Sequence, residues 1–264
     1  MSDKKNLFFS KKMIRKIILS GIFTMVILIS ISFLIASLFS QYSSAVIDSR
    51  KNQLLIICKT VTENLSLGLN RQKNNFLYFQ QSPQYQQIIT KTSFSEDDKQ
   101  KLFNEFQNYA LFHPEEISNI TLTKVFTHTP VIQLHEKNYT RFQELVITDK
   151  YSTALWQGDE NELFYGIHLP VQNGYILSSY IDMNKLYEQY VSFIKLGNKG
   201  YIMLKDAQAR VIMHPVKEQI GINASTERQK LFPNKKLQLD SLQHMIEHQK
   251  LGNEGAEIYY SYWW

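Results

Sequence analysis

The feature that most constrains this chain is the run 17–39, IILSGIFTMVILISISFLIASLF, 23 residues without a charged side chain. As a helix it measures about 34 Å, against about 30 Å for the hydrocarbon core of a bilayer. Its polar members, such as Ser20 and Thr24, are small and can bond back to helix carbonyls. A cleaved leader has a shorter apolar stretch, roughly 7–15 residues, and a small-x-small cleavage site. Ala36-Ser37-Leu38 fits that poorly. The run therefore reads as a retained transmembrane helix.

Charge orients it. The chain has 264 residues with 29 basic and 24 acidic groups. Residues 1–16, a basic tail, hold six of the basic groups and one of the acidic, so the rest is balanced at 23 of each. The positive-inside rule keeps this tail in the cytoplasm and puts the chain after Phe39 outside the cell membrane, as a single-pass protein. A nucleic-acid partner would need cations clustered on a folded face. None is visible, so nucleic acid is not an expected partner. The single cysteine, Cys58, excludes a disulfide framework and a cysteine-rich zinc site.

Beyond the anchor, residues 40–82 contain no proline and one glycine, Gly68. Ile47, Leu54, Ile57, Val61, Leu65 and Leu69 recur near the helical period. This predicts a long helix continuing from the membrane, bent at Gly68. Its stripe suits packing on its own domain or pairing with a second copy in a homodimer. Gln80–Gln87 with Pro83 reads as a break, and 96–109 as a helix capped by Ser93 or Ser95. Strand signals follow at 117–124, 131–135, 144–148, 163–169 and 174–182. Residues 184–194 read as a helix, 201–205 and 210–214 as a hairpin, and 238–250 as a helix. Residues 256–264 read as an aromatic strand. That strand would leave a bare apolar edge, so the natural protein is expected to continue past Trp264. The fold class is α+β, with antiparallel sheets.

The segments 174–182 (GYILSSYID), 195–206 (KLGNKGYIMLKD) and 210–215 (RVIMHP) resemble the double Cache sensor domains of bacterial membrane receptors. The resemblance implies two PAS-like modules, a distal one at 83–194 and a membrane-proximal one at 195–264, incomplete at its end. It also implies an extracytoplasmic sensor that binds a small molecule. Signal transduction would pass to a histidine kinase, as in two-component systems, or to a diguanylate cyclase or chemoreceptor output. No output domain is read in these 264 residues, which are not themselves expected to be an enzyme. Where the family's hairpin turn has glycine, this chain has Ala207-Gln208-Ala209.

Asp182 stands where amino-acid-binding members of that family pair an aspartate with the ligand's amine. Their upstream arginine is followed by Trp-Tyr, whereas Arg141 is followed by Phe142 and Gln143. Asp182 also suits the role of helix cap. Trp156, Asp159, Tyr165, His168, Tyr175 and Tyr180 complete the ligand-binding candidates, being aromatic and polar groups of the kind that wall small-molecule pockets. The same residues also make ordinary cores. His214 and Pro215 are expected to be structural, with His214 bonded to backbone. No cofactor or metal is expected. The alternative from a different class is an anchored zinc hydrolase, because His244, Glu247 and His248 fit H-x-x-E-H. A third reading is a ligand-free docking module.

Overall fold

A computed structural model describes residues 11–113, 117–127, 129–159, 162–197, 200–227, 230, 234 and 236–252. Residues 1–10 of the basic tail and the expected strand 256–264 lie outside the described residues. The chain divides into two units, with the boundary between Leu55 and Ile56.

The first unit is a single element, the opening part of helix α1 (Lys11–Gln80). Every side chain from Arg15 to Tyr42 is exposed, including Phe33 at 76% and Phe39 at 71%. Leu, Ile, Val and Phe cover the helix all round, so the apolar face has no polar back. The helix is long and apolar enough to cross a membrane.

The second unit is α+β. In it α1 presents Val61, Leu65, Gln72, Phe76 and Phe79 as one buried stripe. The helix does not bend at Gly68. Instead Gly68 is the point of closest approach to Tyr190, where a Cβ would lie 2.9 Å from that ring. Arg71 donates from Nη2 to the Tyr190 hydroxyl at 3.0 Å one turn further on. The stripe is spent on the unit's own core, while Ile56, Leu67 and Tyr78 face outward.

The break expected at Gln80–Gln87 falls at Gln81–Ser82, and Pro83 opens helix α2 (Pro83–Ile89), where proline's missing N–H is no loss. Ser82 caps it, accepting from the Tyr85 N–H at 3.3 Å. Helix α3 (Glu96–Phe112) starts with a capping box: the Asp98 N–H donates to Ser95 Oγ, and the Ser95 N–H to Asp98 Oδ2. Lys91 reaches the same carboxylate at 2.5 Å. These bonds, Lys91 first and Ser95 next, hold the Asp98 carboxyl down to about 2. Phe79 joins the three helices, with ring centroids 5.5 Å from Tyr85, 6.1 Å from Phe106 and 4.6 Å from Tyr109.

Six strands follow: β1 (Ile117–Lys124), β2 (Pro130–Gln133), β3 (Thr140–Ile147), β4 (Ser152–Gln157), β5 (Leu163–Val171) and β6 (Tyr175–Asp182). They form one antiparallel sheet in the order β2-β1-β6-β5-β4-β3. β4 was not foreseen: Ser152–Gln157 is a short apolar run that periodicity alone does not assign. Strand alternation divides the sheet. Ile120, Leu122, Leu155, Leu163, Ile167, Leu169, Leu177 and Ile181 share one face and are buried in a cluster with Phe76, Phe79, Leu102 and Phe106. Each such side chain contributes about 1.5–3 kcal/mol by leaving water.

Helix α4 (Met183–Tyr190) follows directly from β6. A small sheet of β7 (Leu204–Lys205) and β8 (Val211–Met213) comes next, then helix α5 (Lys236–Lys250). Ile212 and Met213 belong to the main buried cluster. The glycine-free hairpin turn works through Asp206, whose Oδ1 accepts from the N–H groups of Gln208 and Arg210. Ala209 takes the left-handed conformation there, at φ 65°. His214 bonds to backbone as expected: its Nδ1 accepts from the Val216 N–H at 3.0 Å.

Candidate ligand site on the open sheet face

The other face of the sheet carries Phe164, Gly166 and His168 on β5, Ser178 and Tyr180 on β6, Ala154 and Trp156 on β4, and Asn119 and Thr121 on β1. The antiparallel registers set these side by side. The Trp156 indole N–H donates to His168 Nε2 at 2.8 Å. Nε2 must then be unprotonated, so in the neutral ring the proton sits on Nδ1, which lies 2.8 Å from Ser178 Oγ. His168 is 6% exposed. Burial, and secondly the charge of Arg141, push its pKa down to about 4.

Tyr180 stands edge-on to both rings, at centroid distances of 5.8 Å from Trp156 and 5.8 Å from His168. Burial pushes its phenol up to about 12. Arg141 on β3 holds its guanidinium 5.4 Å from the Trp156 ring centroid and lies 3.9 Å from Glu144. Gly166 is required between these groups. A Cβ there would lie 2.5 Å from Trp156 Nε1 and 2.7 Å from His168 Nε2.

A segment of chain runs over this face. β2 and β3 are consecutive in sequence yet lie at opposite edges of the sheet, so residues 134–139 must cross it. Seven Cα steps from Gln133 to Thr140 can reach about 24 Å, enough for five strand spacings of about 4.8 Å. Asn119, fully buried, clasps the backbone of His135 with both amide groups, at 2.8 and 3.0 Å. Lys137 pairs with Glu162 and lies 4.4 Å from the Phe164 ring centroid. Tyr139 then lays its ring flat on Tyr180, with centroids 3.9 Å apart and planes within 1°.

Of the seven residues singled out from sequence, Trp156, His168 and Tyr180 converge here. Asp182 lies at the end of the same face, opposite Phe164, with its carboxylate committed to capping: Oδ1 accepts from the Asn184 N–H at 2.8 Å. Tyr165 and Tyr175 lie on the helix-covered face, Tyr175 with its ring 5.2 Å from Phe94. Asp159 is exposed in the turn after β4. Reading the sequence missed Tyr139 and Ser178 and set Arg141 aside. No local signal marks any of the three: Ser178 and Arg141 enter through strand register and Tyr139 through the crossing segment.

His244 and His248 share one side of α5, with ring centroids 4.6 Å apart. Among the described residues no group of three or more His, Cys, Asp or Glu side chains is arranged to hold a metal ion.

No protein-family model matches the chain, and no curated protein matches its sequence. Among solved structures, one similar chain is a domain of a sensory box/GGDEF family protein from Vibrio parahaemolyticus. It has a TM-score of 0.48 and 10% sequence identity, and the match covers 74% of this chain and 84% of that chain.

Proposed function

We propose that this chain is the membrane-anchored sensory region of a signalling receptor, and that the sheet face beneath residues 134–139 takes a small ligand. The observation that carries this reading is the Trp156–His168–Ser178 chain of hydrogen bonds, enclosed by Tyr180 and Tyr139 and edged by Arg141. Aromatic walls with a few convergent polar groups suit a small organic molecule. The apolar stretch of α1 supports a bilayer as the other partner, with the N-terminus in the cytoplasm by the flanking cations.

The double Cache arrangement, a homodimer, and a histidine kinase or diguanylate cyclase output belong to this reading through the sequence resemblance. Ligand binding would act by population shift, limited by the ligand's preference between two arrangements of the site. The test is a thermal-shift screen of amino acids, amines, organic acids and aromatic acids on the full chain in detergent. A ligand that raises the melting temperature of the wild type but not of Trp156→Ala supports the site. Silence across the library would leave a docking module instead. Sidedness is checked at Cys58, which is exposed. A membrane-impermeant maleimide should label it in intact cells, and labelling only after lysis would reverse the orientation.

A further inference from the structure

We infer that residues 134–139 are a strap that closes the site from within, and that Tyr139 holds the place of a planar aromatic ligand. This rests on the reading of that sheet face as a ligand site and names its regulation and ligand class. The slot occupied by Tyr139 has the dimensions of a flat ring. Tyr180 lies parallel at 3.9 Å and Phe164 meets the ring edge-on at 5.1 Å and 86°. Parallel stacking on Tyr180 suits an aromatic ring.

The present occupant is a poor one at its polar end. The Tyr139 hydroxyl is buried and makes no well-formed hydrogen bond, although Asn119 and Ser118 face it. Asn119 is held toward His135, to which it gives one N–H and from which its oxygen accepts. The Thr121 hydroxyl, also buried on the same face, lies beside the Tyr180 hydroxyl. A buried hydroxyl left unsatisfied weakens the closed state. A ring without that hydroxyl avoids the defect. Two cations border the cluster, Arg141 beside Trp156 and Lys137 over Phe164, while the nearby carboxylates of Glu144, Glu162 and Asp182 are each engaged, by Arg141, Lys137 and the Asn184 N–H. The favoured ligand is therefore an aromatic carboxylate.

The strap is fastened most firmly at its start, where the Leu134 N–H donates to the Ile120 carbonyl at 3.0 Å and Leu134 packs on the core. Asn119 holds His135, Gln133 Nε2 donates to the Lys137 carbonyl at 3.0 Å, and Lys137 pairs with Glu162. The Lys137–Glu162 pair joins the strap to the loop before β5, and breaking it frees the half that carries Tyr139.

The test uses the full chain in detergent and has two arms. In the first, amide hydrogen exchange is followed at 134–139. Glu162→Gln should speed it there and leave β5 and β6 unchanged. Tyr139→Phe keeps the stack but removes the unpartnered hydroxyl, so it should slow exchange. Unchanged rates in Glu162→Gln overturn the strap. In the second arm, benzoate and cyclohexanecarboxylate are titrated against wild type, Glu162→Gln and Tyr139→Ala. Benzoate should bind both variants roughly tenfold more tightly than wild type, because the closed fraction no longer lowers its apparent affinity. Cyclohexanecarboxylate should gain nothing. An equal gain for both acids overturns the planar ligand class, and no gain for either overturns the plug. A ligand response that depends on Trp156 but is indifferent to Tyr139 sinks the strap alone. A response that ignores Trp156 sinks the sheet-face site and leaves the exchange result standing.

Discussion

The indole N–H of Trp156 points at Nε2 of His168 from 2.8 Å away. The bond exists because β4 and β5 pair antiparallel without a bulge and because Gly166 leaves the space between them empty. It locks His168 neutral in one tautomer, inside a face that also receives the charge of Arg141.

Stability should therefore fall in mild acid. The folded-state pKa of His168 is lowered from 6.5 to about 4, so the unfolded chain binds the proton first. Its contribution is complete above about pH 6.5 and is lost as pH falls toward 4, a change of roughly 3 kcal/mol across the window. Asp98 acts lower, since its carboxyl is lowered from 3.8 to about 2. Its contribution is present above pH 4 and is lost as pH falls through 2. Denaturation midpoints from pH 4 to 7 check this. His168→Gln should flatten the slope in that range; a slope unchanged in the variant would assign it to other groups.

Gly166→Ala should cost about 1–3 kcal/mol, the usual range for forcing atoms into a packed site. Its methyl would sit 2.5 Å from Trp156 Nε1 and part the Trp156–His168 bond. Melting temperature gives the cost. A loss of the mild-acid slope in the same variant shows that His168 has lost its enclosure.

Gly68 offers a cycle with Tyr190. In an ordinary helix interior Gly→Ala gains about 1 kcal/mol. Here the added methyl would lie 2.9 Å from the Tyr190 ring, so Gly68→Ala should be neutral or destabilising in the wild type. In a Tyr190→Ala background the same change should recover the gain of about 1 kcal/mol. Urea unfolding of the four proteins measures the coupling, and equal effects in both backgrounds would deny the contact.

Ser95→Ala should lower stability by about 1 kcal/mol through the loss of the α3 cap. Hydrogen exchange should show the effect concentrated at Glu96–Lys99. Ser95→Asp keeps an acceptor for the Asp98 N–H and should retain most of the cap.

Much of the fold was legible locally. The uncharged run at 17–39, the cap at Ser95 and the strands β1 and β6 follow from composition and period. The capping reading of Asp182 is also local, since the side chain bonds to a backbone group two residues away. The errors were local as well. The break at Gln80–Gln87 was legible, but not that Pro83 itself starts a helix, since at the first helical position its missing N–H costs nothing. Gly68 was read as a bend because glycine is flexible, when its service is the absent side chain. β4 escaped because a short buried run has no period to show.

The site divides in the same way. Alternation along β5 puts Phe164, Gly166 and His168 on one face, and the sequence alone determines that much. It also determined that residues 17–39 find no favourable place in water. Only the tertiary structure decided that Trp156 is the partner of His168 and that Tyr139 covers Tyr180. The first depends on which strands are neighbours and in what register, the second on β2 and β3 standing at opposite edges of the sheet. Those choices are made by burial and hydrogen bonding summed over the whole sheet. No short stretch of chain contains that sum, so no reading of short stretches could supply it.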